Sequence, residues 1–167
     1  AVIIVSTLSD DVQSVESGIN FGIGLRMVYG TKVLYGYTNK TDQDELLRIA
    51  SVLAAKDLRD PVNTIKSFNF SKIPDIHPAQ KILSVNAEIE SKVAYLMAAD
   101  RAARATGDQI SQTRGSCMQR EQGVEIFNSD GLHTSDKRNY IRSNLTAIAS
   151  DGGEQATGSW NDGGLLG

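Results

Sequence analysis

Few side chains in this sequence could carry out bond chemistry. The candidates for metal binding, nucleophilic attack or general acid–base work that stand out are the only two histidines, His77 and His133, the single cysteine Cys117, and the neighbouring carboxylates Asp10 and Asp11. A hydrolytic zinc centre needs three protein ligands and an open position for water. His77 is followed by Pro78-Ala79-Gln80 and His133 by Thr134-Ser135-Asp136, so no glutamate stands beside either imidazole. Cys117 and His133 have the right types for a nucleophile and its base, yet nothing around Cys117 marks an activated thiol, and a lone strand cysteine usually packs as a small residue. Asp10 and Asp11 lie in "SDD" at 9–11, the composition of a solvated hairpin turn.

The other pattern with possible chemistry is glycine. "GINFGIGLRMVYGTKVLYGYTN", residues 18–39, holds five. A dinucleotide fingerprint needs G-x-G-x-x-G between a strand and a helix, so that helix N-terminal amides meet the pyrophosphate. Gly22 and Gly24 are followed by Met27 where the third glycine belongs, and a second strand comes before any helix. No G-K-[ST] occurs, which removes a P-loop. These glycines therefore read as strand residues that allow a bend or the close approach of another backbone. Arg26 beside them suits a carboxylate partner, with an ordinary ion pair as the plainer use.

The elements that must position these residues read as strands, helix, loop, helix, strands. "DDVQSVES" alternates with Val12 and Val15 slightly out of step, which allows a bulge or a twist. "INFGIGLRMVY" and "KVLYGYTN" flank Gly30-Thr31, a Gly-X link suited to a type II′ hairpin. Thr41 with Asp44 or Glu45 predicts a capping box, and Leu46, Ile49, Ala50 and Leu53 mark one helix face. Residues 59–78 hold all three prolines and read as a long surface connection. Ser84 is the expected cap of the second helix, with Val85, Ile89, Val93, Leu96 and Met97 as its buried stripe and Gly107 as its stop. "QISQTRGSCM" and "QGVEIFN" read as strands separated by a polar link. "NSDG" at 128–131 reads as a turn, and Ile141, Leu145, Ala147 and Ala149 fall on one side of the last strand. Residues 151–167, with six glycines and no period, read as a flexible connector. The expected fold is α+β: a largely antiparallel or mixed sheet with two main helices packed on one face.

With 167 residues, a net charge of −3 and 40% hydrophobic residues, the chain reads as one domain, or one and a tail, of ordinary globular composition. No polybasic stretch suggests direct nucleic-acid or membrane binding, and no run is long enough to span a bilayer. One cysteine fits a reducing cytoplasm, where the three N-x-S/T sequons are coincidental. The sequence starts inside an apolar run without methionine and stops after "GGLLG", which reads as a fragment of a longer protein.

"GIGLRMVYGTKVLYGYTNK", a helix, then "ISQTRGSCMQREQGVEIFNSDGLHTSDKRNYIRSNLTAIA" and "GGEQATG" together resemble the N-terminal half of the TldD/PmbA family, on the TldD side. The resemblance rests on Gly22, Gly24 and Arg26, on Gly36-Tyr37-Thr38 and on Asn128–Gly131, and runs from about residue 15 to 158. Members of that family were once called modulators of DNA gyrase and are similar to zinc metallopeptidases with an H-E-x-x-x-H helix and a later cysteine ligand. The resemblance implies that residues 1–150 form the N-terminal α+β domain. Residues 151–167 would lead to a catalytic domain that carries the zinc, so this chain has no catalytic or metal residue of its own and its substrate-binding residues are unassigned. It also implies a homodimer, or a heterodimer with a PmbA-type relative, acting on small unfolded or modified peptides. The alternative is a protein-interaction module that regulates gyrase.

Overall fold

The computed structural model describes residues 1–59, 67, 69–71 and 88–165. Its elements run β1 (Val2–Leu8), β2 (Asp11–Gly18), β3 (Ile23–Tyr29), β4 (Lys32–Thr38), α1 (Gln43–Ala54), β5 (Asn69–Phe70), α2 (Ile89–Arg104), β6 (Ile110–Phe127), β7 (Leu132–Asp151) and β8 (Glu154–Gly164). The α+β expectation holds. The chain forms two compact units, the first from residues 1–19, 70–127 and 133–167, the second from 20–69 and 128–132.

The first unit is a sheet in the order β2-β1-β6-β7-β5, with β8 also on β7. Alternation in β1 turns Val5 and Thr7 to one face, where α2 covers them. The core there is Val5, Leu96 and Cys117, with Val93 and Ile141 packed against it. Full burial of a side chain such as Leu96 is worth about 2–3 kcal/mol. A Cβ on Gly115 would lie 2.6 Å from Thr7 Oγ1 and 3.1 Å from Leu96 Cδ2, so glycine lets the helix sit down on the sheet. Of the bulge or twist that the alternation allowed, a bulge is present: Ser6 pairs with Ser14 and Thr7 with Val12, leaving Gln13 as the extra residue.

The second unit packs α1 on the β3–β4 hairpin. Tyr29 pairs with Lys32 across Gly30-Thr31, and only Gly30 has positive φ (+62°), the type II′ pattern expected. Ile49 and Leu53 are buried and Leu46 and Ala50 half-buried, as their spacing predicts. The turn at 128–131 is also as expected. Asn128 Oδ1 accepts from the amides of Asp130 (2.9 Å) and Leu132 (3.0 Å), and Gly131 takes φ +84°.

Several expectations need correction. Asp42, not Thr41, caps α1, its carboxylate accepting from the Glu45 amide at 2.9 Å. Glu45 is drawn instead to Arg48. α2 starts at Ile89 after Glu88, which makes no side-chain cap, while Ser84 and Val85 lie outside the described residues. Ile89 is exposed, and the buried face of α2 includes Lys92 and Asp100. Each helix covers a different sheet. No link interrupts β6, because Gln119–Gln122 pair with β7 without a break and Gln119 points into the buried side. Residues 154–164 are a strand of the first unit rather than a connector. Gly152 and Gly153 (φ +54° and +93°) make a two-residue turn that hands the chain back along β7, and main-chain bonding holds β8 although its side chains are exposed.

Candidate functional site

Cys117 is 3% exposed and wedged between Val5 and Leu96. Burial pushes its thiol pKa up, and the nearby Lys92 charge only partly opposes this. Cys117 pairs with Ser143, ten positions along β7 from His133, or about 33 Å of strand. The nucleophile–base pair suggested by residue type is not assembled. Asp10 and Asp11 are exposed at the hairpin joining β1 and β2. Trp160 lies on β8 opposite Leu145 and is half-exposed.

His133 Nε2 lies 2.6 Å from Glu125 Oε1. Its ring stacks on Phe127 (centroids 4.2 Å apart, planes at 16°) and meets the edge of Phe70 at 4.9 Å. An imidazole clamped this way fixes the end of the β6–β7 hairpin. His77 lies outside the described residues. Among the described residues no three His, Cys, Asp or Glu side chains converge on a point. The donors among the described residues therefore do not fit a catalytic zinc, which needs three ligands from nitrogen, sulfur or carboxylate.

The glycine-rich stretch has a different use from the one its spacing suggested. A Cβ on Gly22 would fall 2.1 Å from the Tyr37 hydroxyl oxygen, and one on Gly24 2.6 Å from that of Tyr35. Both rings lie across β3, and Tyr37 Oη donates to the Phe21 carbonyl at 3.3 Å. On the opposite face a Cβ on Gly36 would stand 2.6 Å from Ile49 Cγ2. The space these glycines leave is filled by the chain's own side chains, so no foreign backbone enters there. Arg26 is exposed and forms no ion pair among the described residues.

The feature that sequence reasoning missed is the face of the large sheet opposite α2. Even-numbered residues of β1, β6 and β7 point there, including Ile4, Ser116, Met118, Asn144 and the exposed Arg114, Arg120 and Arg142. Two contiguous shallow hollows of about 400 and 360 Å³ share Ser116 and Asn144, with Arg142 in the first and Arg114 in the second. Asn144 Nδ2 donates to Asn161 Oδ1 at 2.9 Å. The signal was available in the period-two placement of arginine at 114, 120 and 142 against buried neighbours at 113, 117, 119 and 139.

Two successive domain descriptions of one family match the chain in order. PmbA/TldA metallopeptidase domain 1 matches residues 5–56, and the PmbA/TldA metallopeptidase central domain matches residues 83–165. The chain belongs to the PmbA/TldD family. Among solved structures it is similar to a candidate modulator of DNA gyrase from Bacteroides thetaiotaomicron (TM-score 0.75, 14% identity, 98% of this chain and 38% of that one). A second candidate gyrase modulator, from Thermotoga maritima, gives TM-score 0.70, 13% identity and coverage of 99% and 37%. TldE from Thermococcus kodakarensis gives 0.66, 16%, and 97% and 37%. At these identities the likeness is one of fold, and the chain spans well under half the length of each of the three. A search of curated proteins returns no match to this sequence. Among the described residues no helix is long and apolar enough to cross a membrane.

Proposed function

We propose that this chain is the non-catalytic N-terminal part of a TldD-type zinc metallopeptidase. It would form part of the substrate channel and of a dimer interface, homodimeric or with a PmbA-type relative, in the cytoplasm. Its substrates would be small unfolded or modified peptides. The observation that carries the reading is the ordered match to domain 1 and the central domain of a metallopeptidase family, in a chain whose described donors do not fit a zinc site. The zinc and its chemistry would then belong to polypeptide outside these residues. Within this chain the clamped His133 and the buried Cys117 serve the scaffold.

The test is zinc content and peptide turnover of the purified chain, then of the chain joined to an H-E-x-x-x-H-bearing family domain. The expected result is no stoichiometric zinc and no cleavage by the chain alone, with zinc-dependent cleavage by the joined protein. Turnover or one bound zinc per molecule in the isolated chain would overturn the reading. The gyrase-regulating alternative draws on the descriptions of the Bacteroides and Thermotoga structures. Recovery of gyrase by the immobilised chain, against an unrelated acidic protein as control, would favour it.

A further inference from the structure

We propose that the open face of the large sheet docks an acidic, extended polypeptide segment, with Arg114 and Arg142 each receiving a carboxylate. Five of the exposed cations among the described residues have carboxylates: Lys32 and Arg59 share Asp57, Arg48 holds Glu45, Arg138 holds Asp136 and Lys137 holds Glu121. Arg114, Arg120 and Arg142 are exposed and share one sheet face, and their side chains form neither an ion pair nor a hydrogen bond among the described residues. A guanidinium left without a partner presents its forked donors to an incoming carboxylate.

Spacing selects the shape of the ligand. Arg142 pairs across from Met118, four residues along β6 from Arg114. At about 3.3 Å per residue and about 4.8 Å between strands, the two arginine backbones stand about 14 Å apart. An extended peptide places side chains i and i+4 on one side about 13 Å apart, which matches. Between the two guanidiniums lie the hydroxyl of Ser116 and the tethered amide of Asn144, with Ile4 and Met118 beside them for a short apolar side chain. Arg120, two residues past Met118, extends the basic track.

A nucleic acid fits this face less well. No aromatic ring among the described residues lines either hollow for bases to stack on. The inference rests on the reading of the chain as a polypeptide-handling part of a peptidase and names the charge class of that polypeptide. Its test is binding to the chain itself, so it can fail while the zinc and turnover measurements succeed, and the reverse.

The experiment is fluorescence anisotropy with a labelled nine-residue peptide carrying Glu at its third and seventh positions in a Ser/Thr/Val background, against its Gln counterpart. The Glu peptide should bind about tenfold more tightly, and the difference should shrink between about 50 and 200 mM salt. Arg114→Glu with Arg142→Glu should abolish the difference while leaving the circular dichroism spectrum intact. Arg26→Glu, in the other unit, should leave binding unchanged. Equal binding of the two peptides, or no response to the double substitution, overturns the proposal. Displacement of the peptide by oligothymidylate at lower concentration overturns it in favour of a nucleic acid. Self-association that disappears in Arg142→Glu overturns it in favour of a second copy of the chain.

Discussion

Asp100 of α2 accepts a hydrogen bond from the hydroxyl of Thr113 on β6, and both side chains are buried. The same carboxylate takes the Nε–H of Arg104 at 3.1 Å, and Arg104 Nη1 donates to the Ile110 carbonyl at 3.3 Å. The last turn of the helix is thereby tied to the strand that follows it.

Asp100→Ala should therefore cost about 3 kcal/mol, because it strands a buried hydroxyl and frees the guanidinium. Thr113→Val should cost less than Asp100→Ala, about 1–2 kcal/mol, since Arg104 still serves the carboxylate. Urea unfolding followed by circular dichroism measures both. Equal stability of Asp100→Ala and the parent would show that this link contributes nothing.

Gly36→Ala should destabilise the second unit by about 1–3 kcal/mol. The added methyl would sit 2.6 Å from Ile49 Cγ2, and Ile49 is buried and cannot swing clear. Gly123→Ala, where nothing lies within 4 Å, is the matched control and should change stability far less. Thermal melts of the two variants side by side decide it.

Asp57 is held well below the usual carboxylate range, chiefly by its hydrogen bonds to Arg59, with Lys32 adding to the effect. Its folded-state pKa is depressed, so the stabilisation is complete above the unfolded value near about 3.9 and is lost as pH falls through the folded value. Glu45, lowered by Arg48, acts in the same direction. Stability should thus decline as pH drops below about 4, and Asp57→Asn should make that decline shallower. An acid titration of unfolding free energy that is identical for parent and variant would contradict this.

Cys117 should react with a disulfide reagent at pH 8 only as fast as the chain opens. Both its burial and its raised pKa withhold the thiolate. Reaction in native buffer should be slower than in urea by several orders of magnitude. Rapid native labelling would reopen the case for a nucleophilic role.

The periodic parts of this fold were legible in the sequence. The Gly30-Thr31 hairpin, the face of α1 and the turn at 128–131 each follow from local chemistry that tertiary packing did not overrule. The misses share one cause. Where polar residues are buried by specific partners, as Asp100 is by Thr113 and Arg104, a hydrophobicity reading assigns them to the surface. Where exposed residues are held by the main chain alone, as in β8, the same reading finds no element at all. The Asp151-Gly152-Gly153-Glu154 turn was the overlooked local clue, since adjacent glycines supply the positive φ at both central positions. The arginine face escaped notice because no three of its residues are adjacent in sequence and only the pairing of β6 with β7 brings them together.

β1 lies between β2 and β6, so its second neighbour is more than a hundred residues away, Leu8 meeting Arg114 and Val2 meeting Arg120. On the ribosome, at about 5–20 residues per second, the Val2–Leu8 segment must wait roughly 5–20 s for that neighbour to be made. Until then it has only the β2 hairpin to hold it, and the apolar run Val2-Ile3-Ile4-Val5 has no lid. Chaperone dependence during synthesis, and slow refolding after dilution from denaturant, are the expected costs of seating a sheet's interior with a strand that is made so long before its mate.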